Sequence, residues 1–253
     1  VTLTLGAGAA SSVSTQAISG TAAGAVSNLT INSTAAVTIG GAVGTDIGTV
    51  TVTNSGGATF SAAVTAATVT LTNTTGTITF TGALNATTLN TAANGYSVAL
   101  NAGGTVSGAV ATTFSNTGTV TLGNDAADVL AFEAGLIATA PTTRNLAGTI
   151  SALDAAALIN LGGANAINVT ANTTLGGAGT GAITLGGAVV LPDAVTLILG
   201  AGAASAVSTQ AISGTAAGAV SNLTINSTAL VTIGGAVGTG APVALNHNAT
   251  TEA

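Results

Sequence analysis

The chain has no cysteine, lysine, methionine or tryptophan, and one arginine and one histidine among its 253 residues. Each absence removes a class of chemistry. Without cysteine there is no disulfide framework and no thiol nucleophile, although the compartment stays open, because large bacterial surface proteins often do without disulfides. A single cation, Arg144, makes no basic patch, so nucleic acid is excluded as a partner. The remaining charges are Asp46, Asp125, Asp128, Asp154, Asp193, Glu133 and Glu252, giving a net charge of -6. Phe60, Phe80, Phe114, Phe132 and Tyr96 are the only aromatics, too few for the platforms that sugar-processing sites use. No apolar run reaches the roughly 18 residues of a membrane-spanning helix. The start, Val1 to Leu5, carries no initiator Met and no basic leader, so any targeting signal is expected outside this sequence.

What fills the chain instead is 55 alanines, 48 threonines and 36 glycines. At 47% hydrophobic residues and a mean hydropathy of +0.71, the composition argues against disorder. Residues Val1 to Thr45 recur at Val195 to Thr239, and only three of the 45 positions differ: Thr4 becomes Ile198, Ser12 becomes Ala206 and Ala36 becomes Leu230. The organisation read from this offset of 194 residues is one long module over 1–194, the start of a second copy over 195–239, and a C-terminal tail over 240–253.

Within the module, apolar and hydroxyl residues alternate at period two in Leu29-Thr30-Ile31, Val50-Thr51-Val52, Val69-Thr70-Leu71, Thr88-Leu89, Val98-Ala99-Leu100 and Val120-Thr121-Leu122. Such runs are half-buried strands, and the Gly- and Asn-rich clusters between them, such as Asn54-Ser55-Gly56-Gly57 and Asn94-Gly95, are turns. A recurrence near 20 residues predicts an all-β fold, a parallel β-solenoid (β-helix) of about 20 residues per coil and about 12 or 13 coils, forming an elongated rod. A β-sandwich is the rival, but its core normally draws on aromatics that this chain lacks. The stretch from Asp125 to Asp154 departs from the pattern; Gly135 and Pro141 would interrupt a helix, so irregular strands and loop are expected there.

Candidates for chemistry are few. His247, flanked by Asn246 and Asn248, has no evident nucleophile or acid partner. Asn124, Asp125 and Asp128, in the run Gly123-Asn-Asp-Ala-Ala-Asp-Val-Leu, resemble one fragment of a calcium-binding nonapeptide turn; that family uses tandem copies, and this run occurs once. Apart from this calcium candidate no cofactor is expected. The strings Gly6-Ala7-Gly8 and Gly176 to Gly181 lack the lysine of a phosphate loop and read as tight corners. Thr-x-Thr runs at 49–53, 68–70 and 77–81 raise the possibility of an ice-binding face, which needs threonine pairs in register over many coils; their uneven spacing along the chain argues against it. Recurrent Asn-x-Ser/Thr triplets read as stacked asparagine ladders at turns.

The repeats GTVTVTNSGG (48–57), ATVTLTNTTG (67–76) and TGTVTLGND (117–125), with the near-identical long copies, resemble bacterial β-strand-repeat surface and filament proteins of the filamentous-haemagglutinin or autotransporter-passenger kind. The resemblance implies an exported protein, extracellular or at the cell surface, in adhesion, matrix or filament formation. On this basis the chain is expected to be a non-enzymatic structural component of an extracellular filament or surface fibre. It would self-associate end to end along the rod axis, with no small-molecule substrate. An adhesin stalk and an ice-binding solenoid are the alternatives.

Overall fold

The computed structural model describes residues 1–21, 26–202, 204–215, 218–238 and 242–248, and among these every regular element is a β-strand. Strands pair in parallel with the strand one coil on, which makes a β-solenoid of about ten turns with roughly 23 residues per turn. Three columns of stacked strands line the coil. The first begins with Thr2–Leu5, the second with Val13–Thr15 and the third with Ile18–Ser19. The third can be followed by pairing alone from Ile18 through Val43, Val64, Leu84, Gly104, Leu130, Ile150, Leu175, Leu199 and Ile225 to His247.

The expected 20 residues per coil is met between about Asn28 and Gly104, where most partners lie 19 to 21 apart, as in Thr49↔Thr68 and Leu84↔Gly104, and again at Leu130↔Ile150. Elsewhere the step reaches 26, as in Thr2↔Asn28 and Gly104↔Leu130. The extra residues leave at corners and do not disturb the ladder. The fold therefore has fewer and longer coils than the periodicity predicts. The apolar runs read from the sequence also lie on two columns, since Leu29, Val50, Val69 and Leu89 stack on the first and Val98 and Val120 on the second. The short step between Leu89 and Val98 is this change of column.

Alternation places every second side chain inside, and the inner columns are stacks of Val, Ile, Leu and Ala with almost no exposure. In-register stacking brings like onto like: the rings of Phe60 and Phe80 lie 4.7 Å apart and within 4° of parallel, one ladder step. All five aromatics are buried, so the interior is not restricted to small residues. Buried hydroxyls at corners bond between coils; Ser55 Oγ donates to Thr74 Oγ1 at 2.8 Å, which donates to the Ser55 carbonyl at 2.7 Å. The stretch 125–154 is strand and turn, with strands Val129–Phe132, Gly135–Ile137 and Thr143–Ala152. One corner requires glycine: Gly148 has φ +73°, and a Cβ there would meet the Asp128 carbonyl at 2.3 Å.

The two near-identical segments make the same internal pairings. Leu3↔Leu29 and Val13↔Val37 in the first become Leu197↔Leu223 and Val207↔Val231 in the second. Yet they occupy different columns. Eight pairings carry Ile18 to Leu199 within the third column, and Ile212, its sequence counterpart, lies two columns further on, in the second. The second segment is thus about eight and two-thirds turns along the coil, displaced by one column.

Candidate functional surfaces

The acidic turn projects from the corner between Thr119–Leu122 and Val129–Phe132. Asp128 Oδ2 accepts from the backbone N–H groups of Asn124 (2.8 Å) and Asp125 (3.0 Å), and Asp125 Oδ1 accepts from Ala127 N–H at 2.9 Å. The structure brings the three predicted calcium candidates onto one turn, where the two carboxylates cap its backbone. This gives Asp125 and Asp128 a local reason to be present. Among the described residues no group of three His, Cys, Asp or Glu side chains is arranged to hold a metal ion.

His247 closes the strand Val243–His247 and pairs with Ile225, the place that Val52 takes over Ile31 in the first segment. It is exposed. Of the predicted tail, residues 240, 241 and 249–253 lie outside the described residues.

Sequence reasoning missed Arg144. Its place in the second column is inward, between Val120 and Ile167, and it is fully buried. The guanidinium donates to four carbonyls: Nε to Ala138, Nη1 to Asn165 (2.9 Å), and Nη2 to Thr139 (3.0 Å) and Gly162 (2.7 Å). None is a carboxylate. Burial lowers its pKa from the ordinary guanidinium value, yet delocalisation keeps the charge, and the side chain pins the corners of two successive coils. The available signal was slight: in Thr143-Arg144-Asn145-Leu146 the arginine stands two residues from Leu146, on the same face of the strand. Tyr96 plays a similar part: its hydroxyl donates to the Leu71 carbonyl at 2.7 Å and accepts from Ala92 N–H at 3.0 Å. Burial raises its pKa to about 12.

The threonine pairs lie in register, contrary to the expectation from their uneven spacing. On the outer side of the first column, Thr2 and Thr4 stack under Asn28 and Thr30, then Thr49 and Thr51, Thr68 and Thr70, and Thr88 and Asn90. Corners absorb the irregular spacing, so the pairs form five rungs with no register shift inside the four-residue window. Asparagines stack on strands: Asn168 Nδ2 donates to Asn145 Oδ1 at 3.1 Å, and Asn145 Nδ2 to Thr121 Oγ1 at 3.4 Å.

Two cavities of about 320 Å³ flank these features. One lies where the first column is interrupted between Leu84–Thr91 and Thr112–Thr113, lined by Leu89, Val106 and Val110 among others. The second lies on the last described coil, lined by Ile225, Val231, Ile233, Leu245 and His247. No helix among the described residues is long and apolar enough to cross a membrane. No family model, curated protein or solved structure matches the chain.

Proposed function

We propose that this chain is a structural, non-catalytic rod element of an extracellular filament or surface fibre, in which coils of successive copies stack end to end. The observation that supports it most is the one ladder that runs from the first near-identical segment into the second, each remaking the same internal pairings at an offset of 194 residues. A unit whose upper edge accepts its own kind of coil can be extended without new side-chain specificity. What stacking needs is present along the rod: among the described residues coil is joined to coil by parallel ladders and inner apolar columns, as in Leu29↔Val50 and Leu197↔Leu223. Each main-chain hydrogen bond gained is worth about 0.5 to 1.5 kcal/mol net, and the sparse charge is largely screened at physiological salt. Resemblance to filamentous-haemagglutinin-like or autotransporter-passenger-like repeats fits the same reading and suggests the cell surface as its place.

The test is electron microscopy and sedimentation of the 253-residue chain over a range of concentrations. Filaments one solenoid wide, with an axial repeat of about 50 Å from a coil rise of about 4.8 Å, are expected. Monodisperse monomers at every concentration would overturn end-to-end assembly and leave the adhesin-stalk reading.

A further inference from the structure

We propose that the five-rung threonine face of the first column, from Thr2 and Thr4 to Thr88 and Asn90, binds an ordered water lattice, that is, the surface of ice. The inference goes beyond the fibre reading and does not rest on it, because it uses the side of the rod and not its ends.

Ten outward positions form the face, eight threonines and two asparagines. Parallel in-register stacking sets their spacing at about 4.8 Å along the rod and about 6.7 Å across each Thr-x-Thr pair, close to the repeats of water oxygens on faces of hexagonal ice. The side chains are preordered as well as spaced. Threonine is stiff at χ1, and among the described residues none of the eight hydroxyls is engaged in a hydrogen bond within the protein, whereas those of Thr74, Thr91 and Thr173 are. A rigid row of free hydroxyls loses little entropy on meeting a lattice. The methyl groups between them offer apolar surface against which first-shell water orders.

What is missing from the face matters equally. Its five strands, Thr2–Leu5, Ser27–Asn32, Ile47–Asn54, Val64–Leu71 and Leu84–Thr91, contain no charged and no aromatic residue. A charge would hold its own hydration shell against the lattice, and crystalline polysaccharide, the other repeating solid of suitable spacing, is gripped by aromatic rings. The second near-identical segment lacks such a face: Ile198 stands where Thr4 stands, and in its column Thr174, Ile198, Thr224 and Asn246 alternate in character.

The experiment uses the full chain and ice itself. Hysteresis between freezing and melting is read by nanolitre osmometry, and partition into slowly grown ice by protein assay. The account expects a measurable freezing gap with faceted crystals and enrichment in the ice fraction. Thr51→Lys and Thr68→Lys, at the centre of the face, should bring both readings down to the buffer baseline while the circular dichroism spectrum stays that of the unmodified chain. Thr59→Lys, outward on the second column, should leave them unchanged. Absence of hysteresis and enrichment in the unmodified chain would overturn the proposal. So would full retention of both by the folded Thr51→Lys variant, or capture by microcrystalline cellulose without capture by ice.

Discussion

Leu3 and Leu197 share a local sequence and pair with equivalent partners, yet Leu3 is 45% exposed and Leu197 is 0% exposed. The opposite holds at the other side of the two segments: Val37 is buried and its counterpart Val231 is half-buried. Local sequence therefore sets which way a side chain points, and the adjacent coil sets whether it is covered. Leu197 lies over Thr173 in the coil below, and Val37 lies under Ala58 in the coil above. Between the segments, residues 46–194 contain every aromatic, the only arginine and six of the seven acids. The repeated segments rely on ladder bonds, aliphatic stacking and serine hydroxyls such as that of Ser33, which donates to the Ala9 and Ser11 carbonyls, whereas the middle adds the Arg144 and Tyr96 clamps.

The largest expected effect separates the copies directly. Leu197→Ala should cost about 3 kcal/mol, in the range for a buried leucine, and Leu3→Ala under about 1 kcal/mol; urea denaturation of the two variants checks this, and equal losses would break the comparison. Arg144→Met examines the clamped middle. It removes a buried charge, which favours the variant, but leaves four carbonyls without their donor. Those of Thr139 and Asn165, on exposed residues, can turn to water, while those of Ala138 and Gly162 are less accessible, so a net loss of about 2 to 3 kcal/mol is expected.

Alkaline titration tests the other clamp. The Tyr96 phenol is held protonated in the fold, with its pKa at about 12 against about 10 unfolded. The folded state therefore binds the extra proton between these values: the contribution is full below pH 10 and disappears as pH rises towards 12. The loss is of order 2 kcal/mol. Tyr96→Phe should flatten that part of the stability profile. The smallest effect is that of salt. With eight formal charges in the sequence and the buried cation bound to carbonyls, raising ionic strength should change unfolding free energy by under about 0.5 kcal/mol; a steep fall in the melting curve with added salt would contradict this.

Strand identity was legible because alternation in runs such as Thr49-Val50-Thr51-Val52 is a local property. The lack of aromatics correctly turned the choice towards a solenoid, and Gly135 and Pro141 correctly turned 125–154 away from helix. Coil length was less legible. Corners admit extra residues without disturbing the ladder, so spacing along the chain does not report stacking, and the same effect hid the threonine face. Arg144 was hidden for another reason: its partners are backbone carbonyls, which leave no sequence pattern. The acidic turn was visible as a cluster, but its carboxylates cap backbone N–H groups only a few residues away, a use that spacing cannot distinguish from ion binding.

The central structural claim is that the two near-identical segments belong to one linear ladder, displaced along the axis and by one column. With no native cysteine, Thr4→Cys and Ile198→Cys can be spin-labelled together, and pulsed dipolar spectroscopy then reads the distance between equivalent places in the two segments. About eight and two-thirds turns at a rise near 4.8 Å predict a narrow distribution centred at about 40 to 45 Å. A distance under about 20 Å would show the segments packed side by side and would contradict the linear solenoid.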